Sequence, residues 1–179
     1  MAEECKSIRE GVALLDITGF SRFEVKGENA EAWLDKIFAT KLPKPGRARL
    51  AVMLSPTGKL KGDLTLLNWG DGTFWIMGSY YLRAWHMRWF NDQIQDGVSV
   101  RDLGDDICGF ALIGPNSHFI LQKVAEGDVS KMRFMDCKRL DIGLIQSHVA
   151  RMSVTGEMGF ELNCKMGDHI ALRRISVSY

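Results

Sequence analysis

No run of apolar residues in this 179-residue sequence approaches the roughly 18 that a membrane-spanning helix needs. The amino terminus, Met1-Ala-Glu-Glu-Cys-Lys, is acidic with no apolar stretch behind it, so no secretory leader is expected and the sequence reads as cytosolic. Excess charge of one sign is lacking too: 23 Lys and Arg against 22 Asp and Glu leave a net charge of +1. That balance gives no field to gather nucleic acid or an anionic bilayer, which leaves a small molecule or another protein as the ligand. Cys5, Cys108, Cys137 and Cys164 lie far apart with no C-x-x-C pair, and no histidine stands at metal-ligand spacing. Buried reduced thiols and no metal site are expected. His86, His118, His148 and His169 show no pairing at nucleophile spacing and read as ordinary surface or core histidines. What remains, 46% hydrophobic and 25% charged residues, excludes disorder and suffices for one sizeable core or two small fused ones.

Hydrophobic periodicity supplies the elements. Residues 11–18 and 20–26 read as strands, the second alternating Phe23 and Val25 with Glu24 and Lys26. After Gly27 the period changes: Ala30, Trp33, Leu34, Ile37 and Phe38 mark one helical face, with acidic residues at its amino-terminal end. Pro43 and Pro45 end it. Strands are predicted over 47–54 and 60–69, joined by a tight turn at Ser55-Pro56-Thr57-Gly58, then over 73–78 after Gly70-Asp71-Gly72. From Ser79 a helix is predicted, with Tyr81, Leu82, Trp85 and Trp89 as its packing stripe, widened by Phe90 and Ile94. Further strands are predicted near 98–103, 107–113, 132–137, 144–154 and 160–164, with a helix at 115–124.

The segment from Phe23 through Gly27, Asn29, Leu34 and Lys36 matches Phe110 through Gly114, Asn116, Leu121 and Lys123 at a constant offset of 87. Both read as strand, glycine turn, amphipathic helix, a grammar that unrelated strand-to-helix turns also select. Taken as duplication, the match predicts an α+β fold of two related β-rich halves with covering helices, two-layer and mostly antiparallel. The halves would be residues 10–97 and 98–179 of a single 1–179 domain, with a ligand held where they meet.

Two acidic residues stand between glycines and strand-like runs. Asp63, in Gly58-Lys-Leu-Lys-Gly62-Asp63-Leu64, is expected at a strand's start, partly desolvated, where it could carry a proton or steady positive charge on an amine nitrogen. The small Gly62 would let a flat ligand approach. The bland alternative is a solvent-facing or turn-capping aspartate. Glu157, in Thr155-Gly156-Glu157-Met158-Gly159, could take two parallel N–H bonds from an amidine-like edge. Its bland alternative is a plain turn with Glu161 as an exposed partner.

The two motifs together resemble the folate-binding domain of the aminomethyltransferase (glycine-cleavage T protein) family. The resemblance runs from about Gly11 to Leu162. Met77-Gly78-Ser79 and His86-Met87-Arg88-Trp89-Phe90 look more like the branch linked to dimethylglycine and sarcosine dehydrogenases. The resemblance implies Asp63 as the catalytic aspartate and Glu157 as the folate-recognising glutamate, with Leu50, Met77 and Ser79 beside the folate. Leu50 and Ser79 stand where the glycine-cleavage branch has a tyrosine and an asparagine. It further implies transfer of a one-carbon unit from a methylated amine or aminomethyl donor to tetrahydrofolate. A flavin dehydrogenase domain or a lipoyl carrier protein would be the partner. Family members continue past the T-G-E-x-G motif into a barrel, so this chain resembles a truncated domain. A folate-binding module without catalysis, of the iron–sulfur assembly type, and a domain for subunit contact are the alternatives. Trp69, Trp75, Trp85 and Trp89 are expected to cluster around the site.

Overall fold

The computed structural model describes residues 2–177. In chain order the elements are α1 (Ala2–Glu10), β1 (Ala13–Asp16), β2 (Ser21–Lys26), α2 (Ala30–Ile37), β3 (Arg47–Leu54), β4 (Leu60–Asn68), β5 (Phe74–Gly78), α3 (Arg83–Asp92) and β6 (Ser99–Asp102). They continue as β7 (Ile107–Ile113), α4 (Ser117–Val124), β8 (Ala125–Glu126), β9 (Cys137–Ile142), β10 (Ile145–Ala150), β11 (Gly159–Lys165) and α5 (His169–Val177). The chain forms two compact units, residues 19–105 and residues 1–18 with 106–179. Each is an antiparallel sheet with helices packed on one face, the α+β architecture that the periodicity predicts.

In the unit of residues 19–105 the strand order is β3-β4-β5-β2-β6. One sheet face supplies Phe23, Val25, Ala51, Met53, Leu64, Leu66, Phe74 and Ile76, which pack with Trp33, Leu34 and Ile37 of α2 and Phe90 of α3. Each such aromatic or aliphatic side chain, fully removed from water, contributes about 1.5–3 kcal/mol. Phe90 meets Phe23 and Trp33 edge-on, with centroids 5.2 and 5.9 Å apart. The Trp33 indole N–H donates to the Gln93 carbonyl at 2.7 Å, so the ring enters the core with its polar atom satisfied.

In the other unit the order is β1-β7-β11-β10-β9-β8. Strand β11 shows why both faces of a central strand matter: Phe160, Leu162 and Cys164 join the core with Ile120 and Leu121 of α4 and Leu172 of α5, while Glu161 and Asn163 point the other way and are also buried.

The two segments matched at offset 87 form the same local structure. Gly27 and Gly114 both adopt φ +127°, where a Cβ would lie 2.0 Å from the Gly97 carbonyl oxygen and 2.4 Å from that of Gly11. Asn29 and Asn116 donate their backbone N–H groups to those same two carbonyls, at 3.2 and 3.1 Å. The carbonyl-bearing segments lead into β6 and β1, which pair with β2 and β7 through Ser99↔Lys26 and Ala13↔Ile113. Strand β1 therefore belongs to the sheet of β7 and strand β6 to the sheet of β2. The compact units thus divide the chain differently from a split in chain order at 97/98.

Other departures are local. The strand predicted at 132–137 begins only at Cys137 and runs to Ile142, because Met132 and Cys137 reach the core from either side of a turn in which Met135 adopts φ +67°. The strand predicted over 144–154 is Ile145–Ala150, with Leu144 at 99% exposure on the preceding turn. Tyr81 and Leu82 are exposed rather than core residues, since a 3-10 turn at Tyr80–Leu82 precedes α3 and rotates the buried face onto His86 and Phe90. Helices α1 and α5 lie outside the segments that the hydrophobic periodicity predicts. Among the described residues no helix is long and apolar enough to cross a membrane.

Candidate functional site

Register places the candidate residues of the unit of residues 19–105. Leu50 lies opposite Thr65, Thr65 opposite Met77, and Met77 opposite Arg22, so these four form one row across β3, β4, β5 and β2 on a single sheet face. Val52 and Asp63 form the adjacent row on the same face, one pleat along. Ser79 follows Met77 by two residues with its backbone still extended (φ −69°, ψ 137°), which continues that face toward the Asp63 row. Asp63, Leu50, Met77 and Ser79, chosen from sequence, are therefore assembled by the β3–β4–β5 ladder.

The environment of Asp63 differs from the expected one. Its side chain is exposed, and among the described residues its carboxylate makes no hydrogen bond or ion pair. The expectation of partial desolvation is corrected: β3 and β4 extend as a hairpin whose Leu50, Leu54 and Leu60 are also exposed, and the Asp63 carboxylate faces solvent with them. Met77 is buried and Leu50 is 63% exposed, which gives the row an apolar floor that opens toward β3.

Gly62 has a different task from the one expected. Neighbouring residues of a strand face opposite ways, so Gly62 faces α3, where a Cβ would stand 3.0 Å from His86 Nε2 and 3.1 Å from the Met53 methyl. The missing side chain makes room for an imidazole behind the Asp63 backbone. His86 is 1% exposed, and among the described residues neither ring nitrogen has a hydrogen-bond partner. Burial holds its pKa below the usual imidazole range, against a smaller opposing pull from the Lys61 backbone. It is not the ordinary satisfied histidine expected from sequence.

The tryptophans form two pairs rather than one cluster. Trp69 and Trp75 meet edge-on at 5.2 Å, while Trp85 and Trp89 stack at 6.4 Å on α3 with the Lys61 ammonium 4.9 Å from each ring. The start of α3 is tied to β6 by Arg83, whose guanidinium donates to Asp102 at 2.7 Å and to Asp105 at 3.2 Å. Those hydrogen bonds raise the arginine's pKa further above its already high value.

Glu157 belongs to the other unit, on the loop between β10 and β11. The loop is built as a turn: Gly156 adopts φ +82°, the Ser153 hydroxyl donates to the Glu157 carbonyl at 2.7 Å, and the Met158 carbonyl accepts from Gly114 N–H at 2.7 Å. Gly159 is needed for close packing, since a Cβ there would fall 2.9 Å from Ser153 Cβ. The hairpin reading thus describes the backbone, yet the half-buried Glu157 carboxylate makes no hydrogen bond or ion pair among the described residues. Glu161, expected as an exposed partner, is instead 5% exposed, because it sits on a central strand opposite Ala111 and Ala150.

Sequence reasoning missed Arg22, which is fully buried and donates to the Phe20 carbonyl at 2.8 Å. The alternation that sends Phe23 and Val25 inward already placed Arg22 on the Asp63 face. Periodicity alone gave no sign that this position is covered.

A model of the GCVT N-terminal domain matches residues 1–173. The chain belongs to that family. Human mitochondrial dimethylglycine dehydrogenase is 29% identical over 177 residues, a match covering 96% of this chain and 20% of the relative. Aminomethyltransferase of Anoxybacillus flavithermus is 29% identical over 175 residues, covering 96% of this chain and 48% of the relative. The chain thus spans about half or less of the curated relatives it matches. In structure it is similar to the glycine cleavage system aminomethyltransferase T from Bartonella henselae, with TM-score 0.88 and 21% identity over 98% of this chain and 48% of that one. The heterotetrameric sarcosine oxidase from Corynebacterium sp. U-96 gives TM-score 0.68 at 18% identity, over 94% of this chain and 87% of the matched chain. Membership of the aminomethyltransferase family, with its dehydrogenase-linked relatives, is the resemblance read from the two acidic motifs.

Proposed function

We propose that this chain is the folate-binding portion of a protein transferring a one-carbon unit from a methylated amine or aminomethyl donor to tetrahydrofolate. The observation that carries the reading is two carboxylates, Asp63 and Glu157, each without a hydrogen-bond or ion-pair partner among the described residues, at the positions to which the resemblance assigns the family's two acidic motifs. Each unit by itself offers chemistry suited to the cofactor: in one, the Glu157 carboxylate can accept the paired N–H groups of a pterin edge; in the other, Met77, Val52 and Leu50 lie on the same sheet face as Asp63.

Tetrahydrofolate, when bound, supplies the ring nitrogen that accepts the carbon. Asp63 has a different task. A carboxylate on a strand, its residue paired with Val52 of β3 in the ladder, orients an amine nitrogen and stabilises positive charge developing beside it. Glu157 fixes the orientation of the ring. The likeness to dimethylglycine dehydrogenase and to sarcosine oxidase supports a flavoprotein domain or subunit as partner.

The roles separate in two variants. Asp63→Asn is expected to lower turnover by at least about 100-fold while tetrahydrofolate affinity stays within about 3-fold, as loss of charge stabilisation without loss of binding demands. Glu157→Ala is expected to weaken tetrahydrofolate binding by roughly 10-fold or more, consistent with losing a charge-assisted bidentate contact. Equal losses of affinity in the two variants would refute the assignment of roles.

A further inference from the structure

Two thiols in the core of the unit of residues 1–18 and 106–179 meet across a strand pair. Cys108 is the second residue of β7 and Cys164 the penultimate residue of β11, and the two are direct cross-strand partners in the ladder. Their Sγ atoms are 3.4 Å apart, and both side chains are at most 1% exposed. Directly opposed antiparallel residues have Cα atoms about 4.5 or 5.5 Å apart. Both values fall inside the roughly 4.4–6.8 Å that a disulfide spans. Closing the gap to a bonded distance of about 2 Å needs side-chain rotation and no change of register.

We infer that Cys108 and Cys164 form a peroxide-oxidisable dithiol, reduced in this structure and able to close into a cross-strand disulfide that staples β7 to β11. The reaction balances with hydrogen peroxide as oxidant. One thiolate attacks a peroxide oxygen, the O–O bond breaks, and a sulfenic acid forms with loss of hydroxide. The second sulfur then attacks the first, the S–O bond breaks, the S–S bond forms, and water leaves. Two thiols are oxidised by two electrons and one peroxide is reduced to two waters.

Access comes from the position of the pair. Beyond the pair stand the Ile107↔Lys165 ladder position and the Met166 N–H bond to the Asp106 carbonyl at 2.8 Å, so opening of this strand end alone, without loss of the rest of the sheet, would expose the two buried thiols. The link would join residues 56 positions apart and constrain the chain between them, which includes α4, β8, β9 and β10. Cys137 lies on β9, opposite Ala150 of β10, and has no cysteine as its ladder partner.

The test uses the chain carrying Cys5→Ser, which removes the one exposed thiol and with it intermolecular linkage. After treatment with hydrogen peroxide, free thiols are alkylated and the protein is digested for mass spectrometry. The expected product is a linked pair of peptides containing Cys108 and Cys164, two hydrogens lighter than their sum. It should be accompanied by a higher unfolding temperature that dithiothreitol reverses. Cys108→Ala is expected to abolish both the link and the rise. Recovery of both cysteines fully alkylated, oxidation to sulfinic acid without a link, or a link through Cys137 would each overturn the proposal. The mass measurement on the Cys5→Ser protein decides the matter even if Cys108→Ala folds poorly.

Discussion

A buried histidine with two unpaired nitrogens is costly, since an unsatisfied buried polar atom forfeits about 1–3 kcal/mol. His86 accepts that cost in a niche opened by Gly62, between Trp85 edge-on at 5.3 Å and Phe90 stacked at 6.3 Å. Because burial lowers its folded pKa below the ordinary value near 6.5, the unfolded chain takes up a proton first as pH falls. Stability from this group is therefore complete above about pH 6.5 and is lost progressively as pH drops toward the lower folded value. His86→Leu, close in volume and without polar atoms, is expected to remove this part of the pH dependence and to leave stability at pH 8 unchanged or raised by roughly 1 kcal/mol. Urea denaturation from pH 5 to 8, wild type against variant, measures it. An unchanged slope in the variant would show that another group titrates.

At the scale of the element, the strand–glycine–helix segment is the device both units share. Its glycine is irreplaceable for two reasons that act together: φ near +127° disfavours any side chain, and the facing carbonyl occupies the place of a Cβ. Gly27→Ala and Gly114→Ala should each destabilise by about 3 kcal/mol or more, beyond the ordinary range for surface turns. Hydrogen exchange resolved by residue should show the first loss of protection at 19–105 for Gly27→Ala and at 106–177 for Gly114→Ala. By contrast Gly58→Ala, where a Cβ meets nothing within 4 Å but φ is +76°, should cost only about 1 kcal/mol.

At the scale of the whole molecule, each unit depends on a strand that lies apart from it in the chain or at its far end. Strand β1 forms the edge of its six-stranded sheet beside β7, although more than 80 residues separate the two segments, as in the pair Ala13↔Ile113. Deleting residues 1–18 uncovers the apolar strand β7, every residue of which is buried. The truncated chain is expected to self-associate, as exposed flat apolar edges do, with the larger species visible by size-exclusion chromatography at micromolar concentration. A monomeric, cooperatively unfolding product would show that β1 is dispensable.

The sequence by itself determined the element types, because period and punctuation are local properties: Trp33, Leu34 and Ile37 announce α2, and Ser55-Pro56-Thr57-Gly58 announces the β3–β4 hairpin. It also singled out Asp63, Glu157, Leu50, Met77 and Ser79, through motif resemblance rather than through any signal of burial or charge. Only the tertiary structure decided that four of these share one sheet face, since that follows from register across three strands. Only it decided which polar residues are covered: Arg22 and Glu161 look solvent-facing by alternation and are buried, whereas Asp63 looked partly desolvated and is exposed. The partners of β1 and β6, and the meeting of Cys108 with Cys164, were decided there as well. Pairing between distant segments is settled by which edges and cores close best, a competition that no local pattern records.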